Sequence, residues 1–171
     1  MERFLRAISL LLLGAWLGAA IFFGAAVAPN LFNVLRGADV TNANALAGSI
    51  VTRLLAIINR GGFEISLLLL VIGFFATRGA RPLVRFAEMI SLAIVAIMTA
   101  LGHWVIAARM LALRTAMQLP VDQIAPNDPR RVEFDSLHRY SVTMMGVAIL
   151  AALVAFFIIA TRRRITTDAV P

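Results

Sequence analysis

The chain has 171 residues, 61% hydrophobic and only 15% charged, with a mean hydropathy of +0.89. Soluble domains are about 45–50% apolar and about 25% charged, so the excess apolar surface must face lipid, and the length leaves no room for a second soluble module. The net charge is +7, yet the 16 basic residues, all arginine, flank apolar runs instead of forming a stripe, which excludes a nucleic-acid surface; the absence of cysteine excludes disulfides, thiolate metal sites and iron–sulfur clusters.

A spanning helix needs about 20 apolar residues. The first such run covers about residues 4–28, follows Arg3 and Arg6, and is expected to stop at Pro29. It exceeds the 7–15 residues of a signal-peptide core and is read as a retained helix. Residues 30–42 form a polar connection. Residues 44–60 carry apolar positions at helical spacing, interrupted by Arg53, Asn59 and Arg60. They read as an amphipathic segment before helix two, or as the first turns of a long second helix, with Gly61-Gly62 as the natural break. The second span covers about 63–77, the third about 86–107 and the fourth about 140–160, with a polar loop from Pro120 to Asp135 and a disordered tail after Arg162-Arg163-Arg164. The fold class is therefore an all-α membrane protein, a single four-transmembrane-helix bundle with an amphipathic segment before helix two.

Eight arginines lie at the termini and in the second loop, and eight in the first and third loops. Dense clusters beside helix ends outweigh charges spread over longer loops. Both termini are thus predicted to be cytoplasmic, in a multi-pass protein of the cell (inner) membrane.

The spans contain few chemistry-bearing residues. Gly14 and Gly18 form a small-xxx-small spacing on helix one, which packs tightly within the bundle or, less simply, against a second copy. Glu64 starts helix two on the outer side, with Arg60 four residues earlier as its partner. His103 lies near the outer end of helix three and His138 just before helix four. Thr99, His103, Met110 and Arg114 share a helical stripe by spacing, as do His138, Ser141 and Met145. If the stripes face each other, two imidazoles, two thioethers and Glu64 meet at the outer mouth, and Asp135 orients the His138 ring. Such a set suits copper or haem. The plainer reading makes His103 a bond to a neighbouring helix and His138 a headgroup-level residue. No phosphate loop, nucleophile elbow or zinc-protease motif is present, and nothing specifies an enzyme.

Three stretches carry a family resemblance: Trp16-Leu17-Gly18 running on to Ala28-Pro29-Asn30-Leu31-Phe32; His103-Trp104 with Arg109-Met110 and Leu113-Arg114; and Phe134-Asp135-Ser136-Leu137-His138-Arg139-Tyr140-Ser141. In order and spacing they resemble the transmembrane protein 205-like family, small four-helix membrane proteins catalogued as a domain of unknown function. Ala108 stands where that family often has a proline. The family is distantly similar in layout to copper-resistance protein D and to four-helix haem-binding oxidases, whose first-helix histidine has no counterpart here. Metal tolerance is what the resemblance implies.

Three functions follow. The first is binding or transport of a soft metal or related ligand at the outer mouth, through His103, His138, Met110, Met145 and Glu64, with Asp135, Arg109, Arg114, Ser141 and Asn30 as further polar candidates. The second is a structural or assembly factor whose partner is another membrane protein or a second copy of the chain. The third is a haem-binding redox protein.

Overall fold

The computed structural model describes residues 2–38, 40–76 and 81–161. Helix α1 (Glu2–Phe22) leads through a π-turn (Phe23–Val27) into α2 (Ala28–Gly37). Helix α3 (Ala43–Ala76) follows; α4 (Pro82–Ala100) continues through a second π-turn (Leu101–Ile106) into α5 (Ala107–Met117). After a short 3-10 turn (Val121–Gln123), α6 (Pro129–Thr161) is the last described element. These form four helical rods long and apolar enough to cross a membrane. The Arg78 part of the second loop, Arg162–Arg164 and the tail lie outside the described residues.

One boundary differs from expectation, and at a second the structure takes one of the two readings left open, both for physical reasons. Pro29 does not end the first rod. A proline lacks an N–H and crowds the carbonyl four residues back. The π-turn just before it lengthens the bonding step, with the Ala28 N–H donating to the Phe23 carbonyl, and the rod runs on past the ring to Gly37. Nor does Gly61-Gly62 break the second rod: the amphipathic segment is the first half of the continuous α3. The backbone ladder needs no side chains, and the missing Cβ of Gly62 makes a notch. A Cβ there would lie 2.7 Å from the Trp16 indole, whose Nε1–H donates to the Ile58 carbonyl at 2.9 Å.

The rods close into an antiparallel ring: α1 and α4 each pack against both α3 and α6, the densest contact being α4 on α6. Ala148, Ala152 and Ala155 are fully buried on α6, where small side chains let helices approach closely. Leu13, Trp16 and Leu17 of α1, Leu69 of α3, and Leu92 and Val95 of α4 complete this core. Gly14 packs under Phe156, whereas a Cβ on Gly18 would meet nothing. The glycine spacing therefore serves packing within the bundle at one of its two positions. Beyond the main core, Leu113, Met117, Ile124 and Phe134 form a second cluster at the end that carries the α5–α6 connection.

Rods of 33 to 36 residues are about 50 Å long, against about 30 Å of hydrocarbon. Trp104 and Tyr140 are exposed, and aromatics of these types favour membrane interfaces, so their level serves as the reference for one boundary. From Trp104 back to Pro82, and from Tyr140 on to Thr161, the rise is about 32 Å, one hydrocarbon thickness. The first half of α3, all of α5 and the start of α6 thus stand beyond the apolar core as a helical crown.

Candidate functional site

The crown contains a cavity of about 640 Å3 between α3, α5 and α6, with Phe32 of α2 at its edge. Its wall is amphipathic. Val51, Leu55, Ala56 and Ala107 supply apolar surface; Asn59, Arg114 and His138 are among the polar groups. Asn59, Gly102 and Ser141 are the lining residues nearest the Trp104–Tyr140 level. Asn59 and Ser141 are buried.

Arg114 is the most elaborately held of these groups. Its Nη1 donates to Thr52 Oγ1 at 3.1 Å and more weakly to the Gly48 carbonyl at 3.5 Å. Its guanidinium lies 5.1 Å from the centre of the Phe134 ring. Gly48 makes room for it: a Cβ there would approach Nη2 to 3.2 Å. Three rods therefore fix one cation, and among the described residues no carboxylate forms an ion pair with it.

The α5–α6 connection closes the crown. Asp128 caps α6: its carboxylate accepts the Arg130 N–H at 2.8 Å, ahead of a helix that starts with proline. The same carboxylate takes the Arg130 guanidinium at 2.8 Å. That side-chain bond, followed by the backbone one, holds the Asp128 carboxyl down to about 2. Arg109 and Glu133 tie α5 to α6 at 2.6 Å. The Arg131 guanidinium donates to the Ile124 carbonyl, and Asn44 donates to Asp122 at 3.3 Å. Gln118 takes a left-handed conformation (φ 57°) to stop α5.

The residues singled out from sequence divide between cavity and elsewhere. His138, Met110, Arg114, Asp135 and Ser141 line the cavity. His103, Met145, Glu64, Arg109 and Asn30 do not. Met145 packs against the main core. Glu64 accepts Arg60 at 2.8 Å on an exposed face. Asn30 bonds back to the Ala26 carbonyl one turn earlier. His103 lies in the second π-turn, edge-on to Trp104 at 4.7 Å, and its buried Nδ1 has no partner among the described residues.

That π-turn explains why the stripe from Thr99 to Arg114 does not hold. A π-turn inserts a residue and rotates everything beyond it by about 100° relative to α-helical counting. Met110 and Arg114 consequently reach the cavity, while Thr99 is buried against the Val95 carbonyl at 2.7 Å. No hydrogen bond joins Asp135 to His138 among the described residues. Nor do any three His, Cys, Asp or Glu side chains there group so as to hold a metal ion.

Sequence reasoning overlooked Gly48, Thr52 and Asn59. Each is a small or polar residue of the 44–60 segment, where steps of four and seven from Gly48 to Thr52 to Asn59 already put them on one side; that this side faces the cavity shared with Arg114 is not in the spacing.

A profile of the family described as Domain of unknown function (DUF4149) matches residues 11–118. The chain belongs to this family. The match runs from α1 to the end of α5 and so includes Gly48, Thr52, Asn59 and Arg114, but not the Phe134 and His138 wall on α6. No curated protein and no solved structure matches the chain.

Proposed function

We propose that this polytopic membrane protein binds a small organic ligand in the crown cavity. The observation behind the reading is the cavity itself: about 640 Å3, largely apolar, with a few fixed polar groups drawn from three rods. Ligand sites have this composition and sizes of about 300–1,000 Å3. A copper or haem reading has less support. His138 and Met110 line the cavity, but the second histidine and second methionine of the expected set, His103 and Met145, do not.

The wider reading includes kinship with the transmembrane protein 205-like family, resting on the Ala28–Phe32 and Phe134–Ser141 motifs, and a cell-membrane location with cytoplasmic termini. It places the crown on the outer face. The arginine clusters beside the helix ends support that orientation; reporter fusions at each terminus and at residue 126 test it, and an active cytoplasmic reporter at residue 126 overturns it.

The test of binding is purification in mild detergent followed by mass spectrometry of extracted small molecules, with elemental analysis and an absorption spectrum on the same sample. The expected result is an organic molecule retained by the wild type and lost from Ala56→Trp, which fills the cavity. A wild-type protein that carries no ligand, or carries stoichiometric copper or haem instead, overturns the reading.

A further inference from the structure

Within the cavity wall, Arg114 holds a positive charge ready. Arginine offers five N–H donors in a planar fork suited to oxyanions. In Arg114, Nη1 serves Thr52 and Gly48, and the other donors have no partner among the described residues. The face of the guanidinium is taken by Phe134. Stacking and hydroxyl bonding orient an arginine without neutralising it. An uncompensated, partly desolvated charge is costly, and a cavity that maintains one gains most when an anion enters.

Among the described residues the neighbours leave Arg114 without a counter-ion. Arg131 is the second arginine of the lining. The lining also holds two acids, neither paired with Arg114 among the described residues: Asp122 receives the Asn44 amide, and Asp135 forms no ion pair. The wall also carries an apolar stretch, Val51, Leu55, Ala56 and Ala107, able to hold the organic part of a ligand.

We infer that Arg114, seated on Phe134 and anchored by Thr52, is the receptor for a phosphate group, with the apolar wall of Val51, Leu55 and Ala56 taking the organic part that bears it. This rests on the ligand-pocket reading and specifies its chemistry. The phosphate is supplied either by a lipid headgroup or by a free phosphate ester, and the two sources separate experimentally.

Delipidated protein in detergent is titrated with phosphatidylglycerol, with diacylglycerol, which has the chains but no phosphate, and with inorganic phosphate. Binding is read by native mass spectrometry and thermal shift. The expected result is binding of phosphatidylglycerol at least about ten-fold tighter than diacylglycerol, lost by at least about ten-fold in Arg114→Gln and weakened less in Arg114→Lys, which keeps the charge but not the fork. Competition by inorganic phosphate assigns the site to a free phosphate ester; its absence assigns it to a lipid headgroup. A second variant, Gly48→Leu, displaces the guanidinium without removing it and is expected to match Arg114→Gln. Equal binding of both lipids, or an affinity unchanged in both variants, overturns the inference. If wild type then still retains an extracted ligand that Ala56→Trp loses, the pocket reading survives; if it retains none, both fall.

Discussion

Replacing Gly62 with alanine tests the central packing claim about α3. A Cβ at Gly62 would sit 2.7 Å from Trp16 Cε2 and Nε1 and 2.8 Å from Cζ2. Carbon atoms pack best about 3.5–4.0 Å apart, so the ring must retreat by nearly an ångström. Trp16 is 5% exposed, with Leu13 and Leu17 buried in the same cluster, so there is little space behind it. Overpacking of this kind costs about 1–3 kcal/mol. The retreat also stretches the 2.9 Å bond from the indole to the Ile58 carbonyl, worth about 0.5–1.5 kcal/mol. Alanine recovers about 1 kcal/mol of helix propensity. The expected net loss is about 1–3 kcal/mol. Gly61→Ala is the control: nothing lies within 4 Å of its Cβ position, so the propensity gain stands alone and the protein is unchanged or slightly more stable. Unfolding in detergent, followed by tryptophan fluorescence, reads both. Equal midpoints for the two variants would refute the notch.

Other substitutions probe other parts of the fold. Ala152→Leu on the fully buried α6 seam is expected to lower stability by about 1–3 kcal/mol, whereas Leu150→Ala on the exposed face of that helix leaves the midpoint nearly in place; thermal melts compare them. Gln118→Gly is expected to stabilise by about 0.5–1 kcal/mol, because glycine adopts the left-handed α5 terminus without a Cβ penalty. For Asp128, the carboxyl is held below its ordinary value of 3.8, down to about 2, chiefly by the Arg130 side chain. A depressed acid contributes stability that is complete above the ordinary value and disappears as pH falls through the folded one. Melts from pH 5 to pH 2 should therefore decline less steeply in Asp128→Asn than in the wild type, and parallel curves would count against the cap. Glu64→Gln removes an exposed ion pair and is expected to leave the melting temperature unchanged.

The four rods are legible in the sequence because an apolar run of spanning length has few alternative homes. Their continuity is less legible. Pro29 reads as a break, and Gly61-Gly62 leaves break and continuity both open, because local propensity is all a single chain displays. In the fold, a π-turn absorbs Pro29, and a tryptophan from another helix occupies the place of a Gly62 side chain. The candidate site was half visible for the same kind of reason. His138 and Met110 were found by type, Arg114 by its place in a stripe. The stripe extended too far, because counting in steps of three and four assumes an unbroken α-helix and cannot register the residue that the turn at His103 inserts. Thr52 and Gly48 matter through Arg114, 62 and 66 residues away, a relation that no local pattern encodes.

The contact between the Arg6 guanidinium and the Ala160 carbonyl brings the two ends of the bundle within one side chain of each other. A short linker between them would close the polypeptide into a circle without crossing the membrane. The circle could then be reopened in the connection that follows Met117, giving a permuted chain with the same neighbours and its new ends on the opposite side of the bilayer. Such a molecule would separate the order of synthesis from the order of packing: if it inserts and melts like its parent, the ring of helices, not the sequence in which they emerge, specifies the assembly.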